Sequence, residues 1–69
     1  MIDPKWEFFD KVALRAFPNL SHSHRTDRLN TAALVADILE DKGRFTCSDT
    51  LKERIRLAAK DVGEEEAKP

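Results

Sequence analysis

The chain carries a single cysteine, Cys47, so no disulfide can close within it. An unpaired thiol suits a reducing compartment, and the expected location is the cytoplasm. Glycine is almost as scarce: Gly43 and Gly63 are the only two, which excludes a glycine-rich loop that cradles phosphate. No apolar run approaches the roughly 20 residues of a membrane span. No signal-peptide hydrophobic region follows Met1 either, so no membrane contact is expected. Neither sign of charge dominates, since 12 Lys and Arg stand against 13 Asp and Glu for a net −1. With a pI near 6.1, the balance disfavours a nucleic-acid partner.

What remains is a sequence of 69 residues, 41% hydrophobic and 36% charged. That is enough apolar content for a core, and enough chain for one domain only. A domain this short typically holds ~3–5 kcal/mol of stability and often leans on a partner subunit. Apolar residues recur at helical spacing in three stretches, which predicts an all-α fold. The form expected is a small three-helix bundle or orthogonal three-helix domain, as a monomer or a homodimer. Its helices span about 4–17, 25–42 and 48–62 within a domain of residues 1–63, and residues 64–69 form a disordered acidic tail.

Local chemistry sets these boundaries. Asp3 is a good N-cap, Pro4 fits the first helical position, and Pro18 stops the first helix. Trp6, Phe9, Ala13, Ala16 and Phe17 share one face, and Phe8 and Val12 widen it past the usual apolar stripe. Leu20 anchors the connection. Ser23 or Thr26 caps the second helix, whose main stripe is Leu29, Ala32, Val35, Ala36 and Leu39, with Leu34 and Ile38 on an adjacent face. Gly43 ends that helix and Phe45 tucks under the turn, in a segment (Arg44 to Cys47) with some strand character. Thr46 or Ser48 caps the third helix, Leu51, Ile55, Ala58, Ala59 and Val62 form its buried stripe, and Gly63 ends it.

No constellation of residues carries recognisable chemistry. His22 and His24 with Asp27 and Cys47 fall short of the paired ligand spacings of a metal site, so no metal or other cofactor is expected. Ser21, Ser23, Ser48 and Cys47 are available nucleophiles, but three short helices seldom enclose the pocket that catalysis or a small-molecule substrate needs. A non-enzymatic protein is expected.

Two readings of function remain. Three helices this short do not readily hide all their large side chains, and surplus apolar surface tends to mark an interface. That predicts a protein–protein interaction module binding a protein partner or a second copy of itself. Compact single-domain chains without catalytic motifs are common among bacterial and phage accessory regulators, so the module is expected to be a stoichiometric regulator or inhibitor. Trp6, Phe8, Phe9 and Val12 are the leading interface residues, Arg15, Arg25 and Arg28 the polar contacts, and Leu34, Ile38 and Leu57 the second rank.

The alternative is a DNA-binding regulator. Lys52, Arg56 and Lys60 recur at i, i+4 and i+8 on the third helix, a row able to track a phosphate backbone. Residues Leu34 to Ile55, with Ile38-Leu39, Gly43-Arg44-Phe45-Thr46 and Asp49-x-Leu51, resemble the opening of a winged-helix DNA-binding domain. The resemblance covers about a third of the chain and implies a helix, a short extended segment and a second helix ahead of a recognition helix. The chain departs from that pattern afterwards: the third helix runs on through Arg56-Leu57-Ala58-Ala59 with no turn, and no recognition helix or wing follows.

Overall fold

One proline opens the first helix and a second one stops it. In a computed structural model that describes residues 4–22 and 24–67, with positions 4, 21 and 22 as backbone alone, α1 spans Pro4–Ala16. The Asp3 cap lies outside the described residues. The Phe17 N–H still donates to Ala13 O at 2.9 Å, and Pro18 then starts a short 3-10 turn, Pro18–His22. The Leu20 N–H donates to Phe17 O at 2.9 Å, which folds the Leu20 side chain into the core as expected.

Helix α2 spans Arg25–Leu39 and helix α3 Asp49–Ala67. There is no strand among the described residues, and Arg44 to Cys47 form a loop. Ser23 lies outside the described residues, and Thr26 sits inside α2. The N-cap of α2 is His24, whose extended backbone turns its carbonyl to Asp27 and Arg28 with no side-chain cap bond. At α3 the expected cap is present: Ser48 Oγ accepts the Leu51 N–H at 3.2 Å.

Helix α1 packs along both other helices, which meet each other less extensively. Small residues allow that. Val12, Ala13 and Ala16 of α1, Ala32, Val35 and Ile38 of α2, and Ile55, Ala58 and Val62 of α3 fill the interior. The largest side chains wholly out of water are Ile55, Val12 and Val35. Phe8, Phe9 and Phe17 lie around this core half-buried, and the Arg54 guanidinium stacks 5.0 Å from the Phe17 ring centre. The stripe of α3 is as the spacing predicts, whereas α2 is rotated: Ile38 is 6% exposed and Leu29 40%. Putting Ala32, Val35 and Ile38 inward turns Leu29 toward solvent.

Both helix ends expected at glycines differ. Helix α2 stops three residues before Lys42, and its cap is a Schellman motif built on Asp41. The Lys42 N–H donates to Asp37 O at 3.0 Å and the Asp41 N–H to Ile38 O at 3.3 Å. Asp41 takes the left-handed conformation (φ 54°), and Gly43 is left-handed again two residues on (φ 71°).

Helix α3 runs straight through Gly63 to Ala67, so residues 64–67 are helical and not a disordered tail. Three glutamates at a helix C-terminus oppose the macrodipole. Two of them are held by α1: Lys11 Nζ donates to Glu66 Oε1 at 2.8 Å, and Arg15 pairs with Glu65. The Glu66 bond and charge, with a lesser contribution from Glu7, raise the Lys11 pKa above its ordinary value. That pairing is therefore complete below the usual lysine range and is lost as pH climbs through the raised value.

Three tests follow from these ends. A Cβ at Gly63 meets nothing within 4 Å, so Gly63→Ala should raise stability by about 0.5–1 kcal/mol in urea unfolding. A glycine that capped the helix would give the opposite sign. Asp41→Gly should also stabilise, by up to about 1 kcal/mol, because it relieves a left-handed non-glycine residue. Lys11→Ala with Arg15→Ala should leave global unfolding almost unchanged, since both pairs are exposed. It should nevertheless accelerate amide exchange over residues 63–67, read by NMR.

Candidate functional site

Asp37 is the one buried charged side chain among the described residues, at 5% exposure. Its position on α2 points it toward the chain that leaves that helix. There Oδ1 accepts the Arg44 N–H at 2.9 Å and Oδ2 the Phe45 N–H at 3.0 Å. Both carboxylate oxygens are thus spent on consecutive backbone donors, which substitute for the water that burial removed. The left-handed Asp41 and Gly43 bring the backbone round to meet them.

This clamp decides where Phe45 goes. Its backbone is fixed against α2, and its side chain is 47% exposed instead of tucked under the turn. On one side of Phe45, Ala33 and Ala36 leave a hollow of about 250 Å³, also lined by Asp37, Lys42 and Arg44. On the other lies a narrow cleft of about 30 Å³ reaching Asp41, Lys52 and Arg56. Lys42 approaches Glu40 at 3.6 Å, while the side chains of Arg44, Lys52 and Arg56 have no ion pair among the described residues. An exposed ring, a small apolar hollow and three unpaired cations therefore come together at the α2–α3 loop.

The residues expected at an interface are scattered by the fold. Val12 is fully buried and Ile38 nearly so, hence both are core residues and not docking residues. Val12 went inward because α1 has two neighbours to cover its wide apolar face, and Ile38 because α2 is rotated to put Ala32, Val35 and Ile38 inside. Phe8, Phe9 and Leu34 pack partly buried against that core, and Trp6 is half-buried. Arg15 is engaged with Glu65. Arg28 Nη2 donates to Asp10 Oδ2 at 2.7 Å, tying α2 to α1, and its Nε is shielded without a partner among the described residues. Arg25 is exposed, and Leu57 is 57% exposed on the solvent side of α3. Of the basic row, Arg56 and Lys60 are exposed and Lys52 half-buried, and the first and last of these three do not act alike: Lys52 and Arg56 border Phe45, whereas Lys60 lies beyond the cleft.

No group of three potential metal ligands forms among the described residues. Ser23 lies outside the described residues, the Ser48 hydroxyl is occupied as a cap, and Cys47 is half-buried against the core. A larger groove of about 570 Å³ runs between α1 and the end of α3, past Leu14, Pro18 and Val62. Its rim cations, Lys11 and Arg15, are already neutralised by Glu66 and Glu65. No described helix is long and apolar enough to cross a membrane.

Spacing gave no signal for Asp37, because its partners are backbone groups. The nearest thing to a signal for Phe45 is a large apolar residue two positions after Gly43, preceded by Lys42 and Arg44. Asp37→Ala should destabilise the fold by about 2 kcal/mol, the loss of two charge-assisted bonds partly replaced by water. Amide exchange at Arg44 and Phe45 should quicken beyond the global change. Equal loss of protection everywhere would show that the clamp is not local.

Comparison with known proteins finds no match among family models, curated proteins or solved structures.

Proposed function

We propose that this chain is a small non-enzymatic protein–protein interaction module, and that its contact surface centres on Phe45. The supporting observation is that a large aromatic side chain stands half in water on a loop whose backbone is pinned by a buried carboxylate. Exposed apolar side chains are common on any protein. One held out by a dedicated clamp, beside an apolar hollow, is already ordered and loses little entropy when it docks. Aromatic and arginine side chains also contribute most often to binding hot spots.

The partner is a larger protein or a second copy of the chain, and binding it one-to-one suits a stoichiometric regulator or inhibitor acting in the cytoplasm. The DNA-binding alternative draws on the same cations, since Lys52 and Arg56 border the ring. It is the weaker reading, because one aromatic and a short basic row within a chain of net charge −1 offer little to a polyanion.

A photo-cross-linking phenylalanine analogue placed at position 45 tests the proposal, with the same analogue at the exposed position 53 as control. The expected result is a protein adduct of defined mass from position 45 only, lost when Arg44→Glu and Arg56→Glu are added. An adduct of twice the chain mass identifies self-association. Equal labelling from both positions, or none from position 45, refutes the reading.

A further inference from the structure

Resting on the interaction reading above, we infer that the partner presents an acidic segment carrying one bulky apolar side chain, which enters the hollow between Phe45 and α2. Three observations converge on that chemistry. The hollow holds about 250 Å³, below the ~300–1,000 Å³ usual for small-molecule sites, and so takes one large side chain in place of a free metabolite. Its floor is apolar, because Ala33 and Ala36 stand one helical turn apart on α2 and contribute only methyl groups beside the Phe45 ring. Its surroundings are cationic. Arg44 borders the hollow and Lys52 and Arg56 the adjoining cleft, all three without ion pairs among the described residues.

The acidic residues nearby do not cancel these cations. Asp37 has both oxygens committed to backbone N–H groups, and Glu40 leans toward Lys42. Asp41 lines the cleft, and Asp49 and Glu53 stand exposed on α3 near Lys52 and Arg56 without an ion pair to either. Elsewhere Lys11, Arg15 and Arg28 each meet a carboxylate and Arg54 covers Phe17, while the exposed Arg25 and Lys60 border neither the hollow nor the cleft. The loop face is where an incoming carboxylate finds two unpaired guanidinium groups, Arg44 and Arg56, beside an apolar hollow. Its reward is greatest if an apolar anchor seats at the same time, since surface charges alone contribute little and are screened by salt. A protein segment supplies both features at once. A nucleic-acid strand supplies the charge and a stacking base, but no aliphatic or aromatic side chain to fill the alanine-floored hollow.

The experiment uses the full chain and short synthetic peptides in which one leucine is flanked on both sides by glutamates, with binding followed by two-dimensional amide NMR. The peptide should shift Ala33, Ala36, Arg44 and Phe45, and replacing its leucine by alanine should weaken binding about tenfold. Ala33→Leu fills the hollow from an exposed helical position, so it should abolish the response while leaving thermal unfolding unchanged. Arg44→Glu with Arg56→Glu should do the same. Absence of binding, equal binding of the alanine or an all-lysine peptide, or persistence of binding in Ala33→Leu overturns the inference. Tighter binding of a single-stranded oligonucleotide at the same residues overturns it in favour of nucleic acid. If position 45 cross-links to a protein while every acidic peptide fails, the interaction reading stands and this inference alone falls.

Discussion

The geometry at the α2–α3 loop depends on a carboxylate that has left water. Asp37 recovers its lost hydration from two consecutive backbone N–H groups. Satisfying both of them fixes where α2 must stop, how the loop returns and which way Phe45 faces. The left-handed conformation of Asp41 is a cost incurred within this arrangement. Ser48 then begins α3 from a loop whose far end is already fixed. A polar group in the interior of so small a domain is usually a burden. Here it converts a connection into a rigid surface feature.

The rest of the fold is held by small residues more than by large ones. With Ala13, Ala16, Ala32 and Ala58 inside, the helices approach closely and no aromatic ring is wholly enclosed. That resolves how three short helices accommodate so much apolar character. Val12 and Ile38 complete the interior, the phenylalanines of α1 and Phe17 line its edge, and among the described residues the large apolar side chains left to solvent are Leu29, Phe45 and Leu57. The surplus is smaller than the composition suggests and it lies elsewhere.

Much of the architecture is legible from residue order. Pro18, the Leu20 anchor, the Ser48 cap and the Ile55, Ala58 and Val62 stripe are local signals, and local signals survive folding. Gly63 misleads because a glycine after an amphipathic run looks like a terminus, while the charges that carry the helix onward, Lys11 and Arg15, stand about fifty residues away in sequence. Asp41 misleads in the complementary way, taking a conformation for which Gly43 is the better candidate. Asp37 sits between Ala36 and Ile38 and reads as an ordinary polar position, since a side chain's bonds to distant amides leave no periodicity. The displacement of the candidate site from α1 to the loop follows from that one unreadable residue.

The long reach of α3 gives the molecule two ends of unequal character. At one, a sequestered carboxylate grips the main chain beyond the influence of dissolved ions. At the other, the final turn of the helix is moored by pairs that lie open to the solvent, where a rise in ionic strength loosens them. Concentrated salt should thus unravel the tip of the chain while the opposite pole keeps its shape, so that softness in one part of this protein carries no information about order in the other.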